Sequence, residues 1–117
     1  MVKRFQKGMS NAERAAQAWT ILVGKAANRQ TITYGELSDL MDYGSNHLGG
    51  VLGYLKDYCT AYDLPRLPYL VVNKREGKPG GTQETSFEEL EAIFRTNWYE
   101  IVPPTPEELE AHRKGGN

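Results

Sequence analysis

The residues best equipped for chemistry in this 117-residue chain are a short basic run and a polar turn. Lys74, Arg75 and Lys78 stand in the stretch Lys74-Arg75-Glu76-Gly77-Lys78-Pro79-Gly80-Gly81, where three cations on a glycine-rich turn would suit phosphate oxygens. Ser45, Asn46 and His47, followed by Gly49 and Gly50, sit where a helix should begin. A helix start offers N–H groups and the positive end of the macrodipole to an anion. Each feature also has a plainer reading: a solvated hairpin for the first, a cap and turn for the second. Lys3, Arg4 and Lys7 could add a basic arm.

Bond-making chemistry is poorly served. Cys59 is the one cysteine, which excludes an internal disulfide framework and a multi-cysteine zinc site. With only His47 and His112 beside it, neither a transition-metal site nor a cofactor is expected. A nucleophilic thiol needs a neighbouring base, and Cys59 falls on the apolar face of a helix with neither histidine placed to activate it. Asp39 and Asp42 come near one another on a short helix, and Glu88, Glu89 and Glu91 face water beside an apolar stripe. No phosphate loop or nucleophile elbow accompanies these carboxylates, so the expectation is a protein that is not an enzyme.

The elements that must position these residues are announced by helix-start signals. Ser10…Glu13, Thr33…Glu36, Ser86…Glu89 and Thr105…Glu108 all have the spacing of a capping box, and Pro106 strengthens the last. Apolar residues at helical spacing predict a first helix from Ser10 to about residue 28, through Trp19, Leu22 and Val23. A short second helix after Thr33 is expected to bury Tyr34, Leu37, Leu40 and Met41, and a third runs from about Asn46 to Tyr62. Prolines 65 and 68 make a rigid connector, Tyr69 to Asn73 reads as a buried strand, and the basic turn follows. A fourth helix after Ser86 buries Phe87, Leu90, Ile93 and Phe94, Trp98 to Val102 form a short apolar segment, and a last polar helix packs lightly.

This order has the layout of a winged helix. Within it, Thr31-Ile32-Thr33-Tyr34-Gly35-Glu36-Leu37, then Leu48-Gly49-Gly50-Val51-Leu52, then Val71-Val72-Asn73 with Gly77 and Gly80-Gly81, resemble the C-terminal domain of O6-alkylguanine-DNA alkyltransferases. They look still more like the noncatalytic alkyltransferase-like proteins. The resemblance spans residues 31–82 and implies a helix docked in a groove of double-stranded DNA. It puts Thr33, Tyr34, Ser45, Asn46, His47 and Gly49 at the DNA-facing helix starts, with Lys74, Arg75 and Lys78 on the wing. The departures are specific. Pro68, Tyr69 and Leu70 stand where the family has its acceptor cysteine, histidine and arginine, and Asn46 stands where it has the base-flipping arginine. Alkyl transfer is thereby excluded from the expectation, and base flipping loses its plug.

Composition frames the rest. With 39% apolar and 25% charged residues, the chain reads as one soluble domain, mainly α with a small β wing. It divides into an N-terminal helix with its basic arm (1–30), a winged-helix-like core (31–82) and an acidic helical extension (83–117). No apolar run nears the roughly 20 residues of a membrane span, residues 1–30 lack a signal-peptide core, and the default location is a reduced cytoplasm. Net charge is +5 over residues 1–30, −3 over 31–62, +2 over 63–82 and −5 over 83–117. The expected function is noncatalytic double-stranded DNA binding, regulatory or lesion-marking. The alternative is a small protein-interaction module, an adaptor or an inhibitor of a larger enzyme, favoured by the acidic region after residue 83, the net charge of −1, and Glu36, Asp39 and Asp42 beside the expected reading helix.

Overall fold

Three Ser/Thr-x-x-Glu signals become reciprocal caps in the computed structural model, which describes residues 10–73 and 87–113. Ser10 Oγ accepts from the Glu13 N–H at 3.0 Å while Glu13 Oε1 accepts from the Ser10 N–H at 2.9 Å, opening α1 (Asn11–Ala27). Thr33 and Glu36 do the same for α2 (Tyr34–Met41). The chain then continues as α3 (Leu48–Ala61), α4 (Phe87–Arg95) and, behind the Thr105–Glu108 cap, α5 (Pro106–Ala111). The Ser86–Glu89 signal begins outside the described residues.

Two short strands, β1 (Ile32–Thr33) and β2 (Val71–Val72), pair in parallel with Ile32 opposite Val71 and Thr33 opposite Val72. The molecule is thus mainly helical with a small two-stranded sheet. Among the described residues no helix is long and apolar enough to cross a membrane. The core centres on α1, whose Trp19 and Leu22 pack with Leu48, Leu55 and Cys59 of α3 and with Leu67, Leu70, Ile93 and Trp98. The buried Trp98 indole N–H donates to the Ile93 carbonyl at 2.8 Å, so it keeps a partner in the core.

Several expectations need correction. The strand foreseen over 69–73 contracts to Val71–Val72, because Leu67–Leu70 close a 3-10 turn in which the Tyr69 N–H donates to the Arg66 carbonyl. The third helix begins two residues late. Ser45–His47 form a 3-10 turn, with the His47 N–H on the Gly44 carbonyl, before α3 proper. Leu40 is exposed, since the helical turn directs Leu37 and Met41 inward and carries Leu40 past the core. Phe87, at the first position of α4, and Tyr62, at the end of α3, also face solvent.

The last helix is no lightly packed appendage. Leu109 is 0% exposed, and Arg113 Nη1 meets Asp57 Oδ2 of α3 at 2.6 Å. The Tyr62 hydroxyl lies 3.2 Å from His112 Nε2, and the Tyr54 hydroxyl donates to Glu110 at 3.3 Å. Leu109→Ala is therefore expected to cost about 2–5 kcal/mol in urea unfolding, the range for truncating a fully buried leucine. A loss below about 1 kcal/mol would return α5 to the periphery.

Candidate nucleic-acid interface

The polar turn between α2 and α3 is held by local bonds. α2 ends at Asp42 in the left-handed conformation (φ 53°), and the Tyr43 N–H donates to the Ser38 carbonyl while Ser38 Oγ donates to the Tyr43 carbonyl. A Cβ at Gly44 would lie 2.9 Å from Asn46 Oδ1 and 3.3 Å from His47 Cδ2, so those two exposed side chains would have to move to admit one. α3 then starts directly after the Ser45–His47 turn with no side-chain cap, and Asn46, His47, Gly49 and Gly50 around its start are all exposed. A Cβ at Gly49 would meet nothing within 4 Å.

Behind this start lies a cluster that the sequence does not single out. The Tyr43 ring is 5.5 Å from the His47 ring, and its hydroxyl donates to Asn11 Oδ1 at 3.2 Å. A Cβ on Gly50 would lie 3.5 Å from Asn11 Nδ2, which puts α1 against the first turn of α3. The Arg14 guanidinium stacks on the Tyr43 ring with Cζ 3.7 Å from its centroid. Arg14 is 8% exposed, yet among the described residues its Nε and Nη1 meet no hydrogen-bond acceptor, and Gln17 Oε1 meets no donor. The nearest sequence signal is the row of alanines around Arg14, which leaves room for a long side chain on α1.

Thr33 and Tyr34 lie at the other end of α2, about 12 Å of helix away, so the structure does not gather the expected residues at one point. Thr33 Oγ1 is engaged as a cap, and Tyr34 is half-buried, its phenol pushed above the usual range by desolvation. The Thr33–Val72 pairing does bring Asn73, the residue that leads into the basic run, beside the start of α2. Lys74, Arg75 and Lys78, with Lys3, Arg4 and Lys7, lie outside the described residues, as does the Ser45 side chain.

The remaining nucleophile is spent on packing. Cys59 is buried, and desolvation pushes its thiol up to about 11 despite a backbone hydrogen bond from Leu67 and the charge of Arg66. Pro68 and Leu70 are buried and Tyr69 is half-buried, all in the 3-10 turn against the core. Among the described residues no three His, Cys, Asp or Glu side chains gather into a metal-holding group.

Charge is divided between the two parts of the chain. The described residues hold seven basic and thirteen acidic side chains, a net −6. The seven remaining basic residues fall in 1–9, 74–86 and 114–117 with only Glu76 and Glu84 against them, a net +5. Comparison of the chain with protein-family models, with curated proteins and with solved structures returns no match.

Proposed function

We propose that this chain is a noncatalytic double-stranded DNA-binding protein of winged-helix type, similar to the alkyltransferase-like proteins, in which the start of α3 faces a groove and residues 74–81 brace on phosphates. The observation that carries the reading is the Thr33–Val72 register, which ties the start of α2 to the root of the basic run. The uncapped start of α3, with Asn46, His47 and Gly49 exposed, adds a second contact point one helix length away. Binding would serve regulation or lesion marking, in a reduced cytoplasm.

Mapping by NMR tests this directly. Adding a random-sequence duplex should move the amide signals of Thr33, Tyr34, Asn46, His47, Gly49 and Asn73 together. The protein-interaction reading draws on exposed apolar residues elsewhere: Phe87, Tyr99 and Val102 are 73%, 70% and 81% exposed. Shifts confined to those three, or no shifts at all, would reject the DNA reading.

The charge next to the turn gives a second test. Asp42 is exposed, one residue before Tyr43, and would repel a phosphate approaching α3. Asparagine adopts the left-handed conformation at least as readily, so Asp42→Asn should leave Tm unchanged. Duplex affinity at low salt should rise by about threefold, the size of one exposed like-charge contact removed. An unchanged or weaker affinity would place Asp42 away from the DNA.

A further inference from the structure

The charged residues of α3 are Lys56 and Asp57, at neighbouring positions, and the fold treats them differently. Asp57 turns toward the C-terminal segment, where Arg113 Nη1 meets its Oδ2 at 2.6 Å. The same guanidinium lies against α3 itself. Its Nη2 is 2.9 Å from where a Gly53 Cβ would stand, and its Cζ is 5.1 Å from the centroid of the Tyr54 ring. Tyr54 in turn donates its hydroxyl to Glu110 at 3.3 Å. Glu110 and Arg113 therefore cover one side of α3, along Gly53, Tyr54 and Asp57.

Lys56 is left in the open. At 3.6 residues per turn, the three covered positions lie roughly 40° to 140° around the helix from Gly49, whereas Lys56 lies within about 20° of it. The other side of α3 is closed by the buried Leu52, Leu55 and Cys59. Between Gly50 and Thr60, Lys56 is the one exposed residue, the rest being buried or half-buried. It is also the one lysine or arginine from residue 31 to residue 65. Among the described residues its ammonium forms no ion pair, and Arg113 has already answered the carboxylate beside it. The open band of α3 thus presents a positive charge on a body that carries −6.

The distance along the helix suits a phosphate. Lys56 follows Gly49 by seven residues, about 10.5 Å of rise. A major groove is about 8.5 Å deep, so a helix whose first turn reaches the base edges has Lys56 level with the phosphate rim. We propose that Lys56 is the residue of α3 that contacts a backbone phosphate of the duplex. The proposal rests on the DNA-binding reading and names a contact within it. A phosphate contact positions the helix without reading sequence, so its loss should weaken binding equally on duplexes of different sequence.

The experiment compares the wild-type protein with Lys56→Gln and Lys25→Gln on an A·T-rich and a G·C-rich duplex across roughly 50 to 200 mM salt. Lys25 is the control, about 21 Å along α1 from Asn11, whose side chain lies against Gly50 of α3. Glutamine keeps the helix propensity at both positions, so Tm should change little. Lys56→Gln should lower the salt slope by about 0.9 on both duplexes, so its affinity deficit shrinks about 3.5-fold across that range. Lys25→Gln should keep the wild-type slope. A wild-type slope in Lys56→Gln, or equal reductions in the two variants, would overturn the inference and leave DNA binding intact. So would a loss confined to one duplex, which would make Lys56 a base contact instead. No binding by the wild-type protein would overturn both the inference and the reading beneath it.

Discussion

Replacing Lys74, Arg75 and Lys78 together with alanine should reduce the salt slope of duplex binding by about 2.7, three phosphate contacts at roughly 0.9 each. The affinity gap between wild type and the triple variant should then shrink about 40-fold between roughly 50 and 200 mM salt, because a slope of that size acts over a fourfold change in concentration. This is the largest functional effect expected anywhere in the molecule. The described body carries −6, so attraction to a polyanion has to come from the basic residues outside it, and three of seven are removed at once. Parallel salt curves for the two proteins would take residues 74–78 out of the contact.

Trp19→Ala should have the largest effect on stability. Trp19 is 1% exposed and meets Tyr58 of α3 edge-on at 5.8 Å and Trp98 at 5.5 Å. It therefore ties α1 both to the helix that starts at the proposed site and to the segment before α5. Truncation should cost about 3–5 kcal/mol from lost burial and the cavity left behind. A domain of this size has about 5–15 kcal/mol in total, so the variant should sit close to its unfolding threshold. Urea unfolding followed by far-UV circular dichroism measures the loss. A value under about 1 kcal/mol would mean that the core does not centre on α1.

The helix starts were legible because their code is local. Ser10, Thr33 and Thr105 each find their glutamate three residues on, and the reciprocal bonds form without help from the rest of the fold. The core stripes of α1 and α3 were legible for the same reason, since period 3.6 is written along the chain. Features that depend on distant residues were not. A two-residue strand such as Ile32–Thr33 has too little pattern to announce itself, and it exists because Val71–Val72 arrives beside it. The docking of α5 hangs on Leu109 and on Arg113 reaching Asp57, a contact between residues far apart in sequence.

The candidate site was half legible. Asn46, His47 and Gly49 do stand exposed at a helix start, where the glycines and the polar turn placed them. The capping role of Thr33 was readable, and Tyr34 was assigned to a helix start correctly but turns its ring partly into the core. The burial of Arg14 was invisible, because nothing in its own helix says that the Tyr43 ring will cover its guanidinium. Buried polar groups are set by tertiary neighbours, and their partners cannot be counted until the chain has folded.

The central claim is tested most directly by fluorescence anisotropy of a labelled random-sequence duplex, titrated with the wild-type protein at several salt concentrations from about 50 to 200 mM. DNA binding predicts saturable association whose log affinity falls linearly with log salt, with a slope steeper than about −2.7 because contacts beyond the basic run contribute. No association at the lowest salt, or association indifferent to salt, would contradict it and turn attention to a protein partner at Phe87, Tyr99 and Val102.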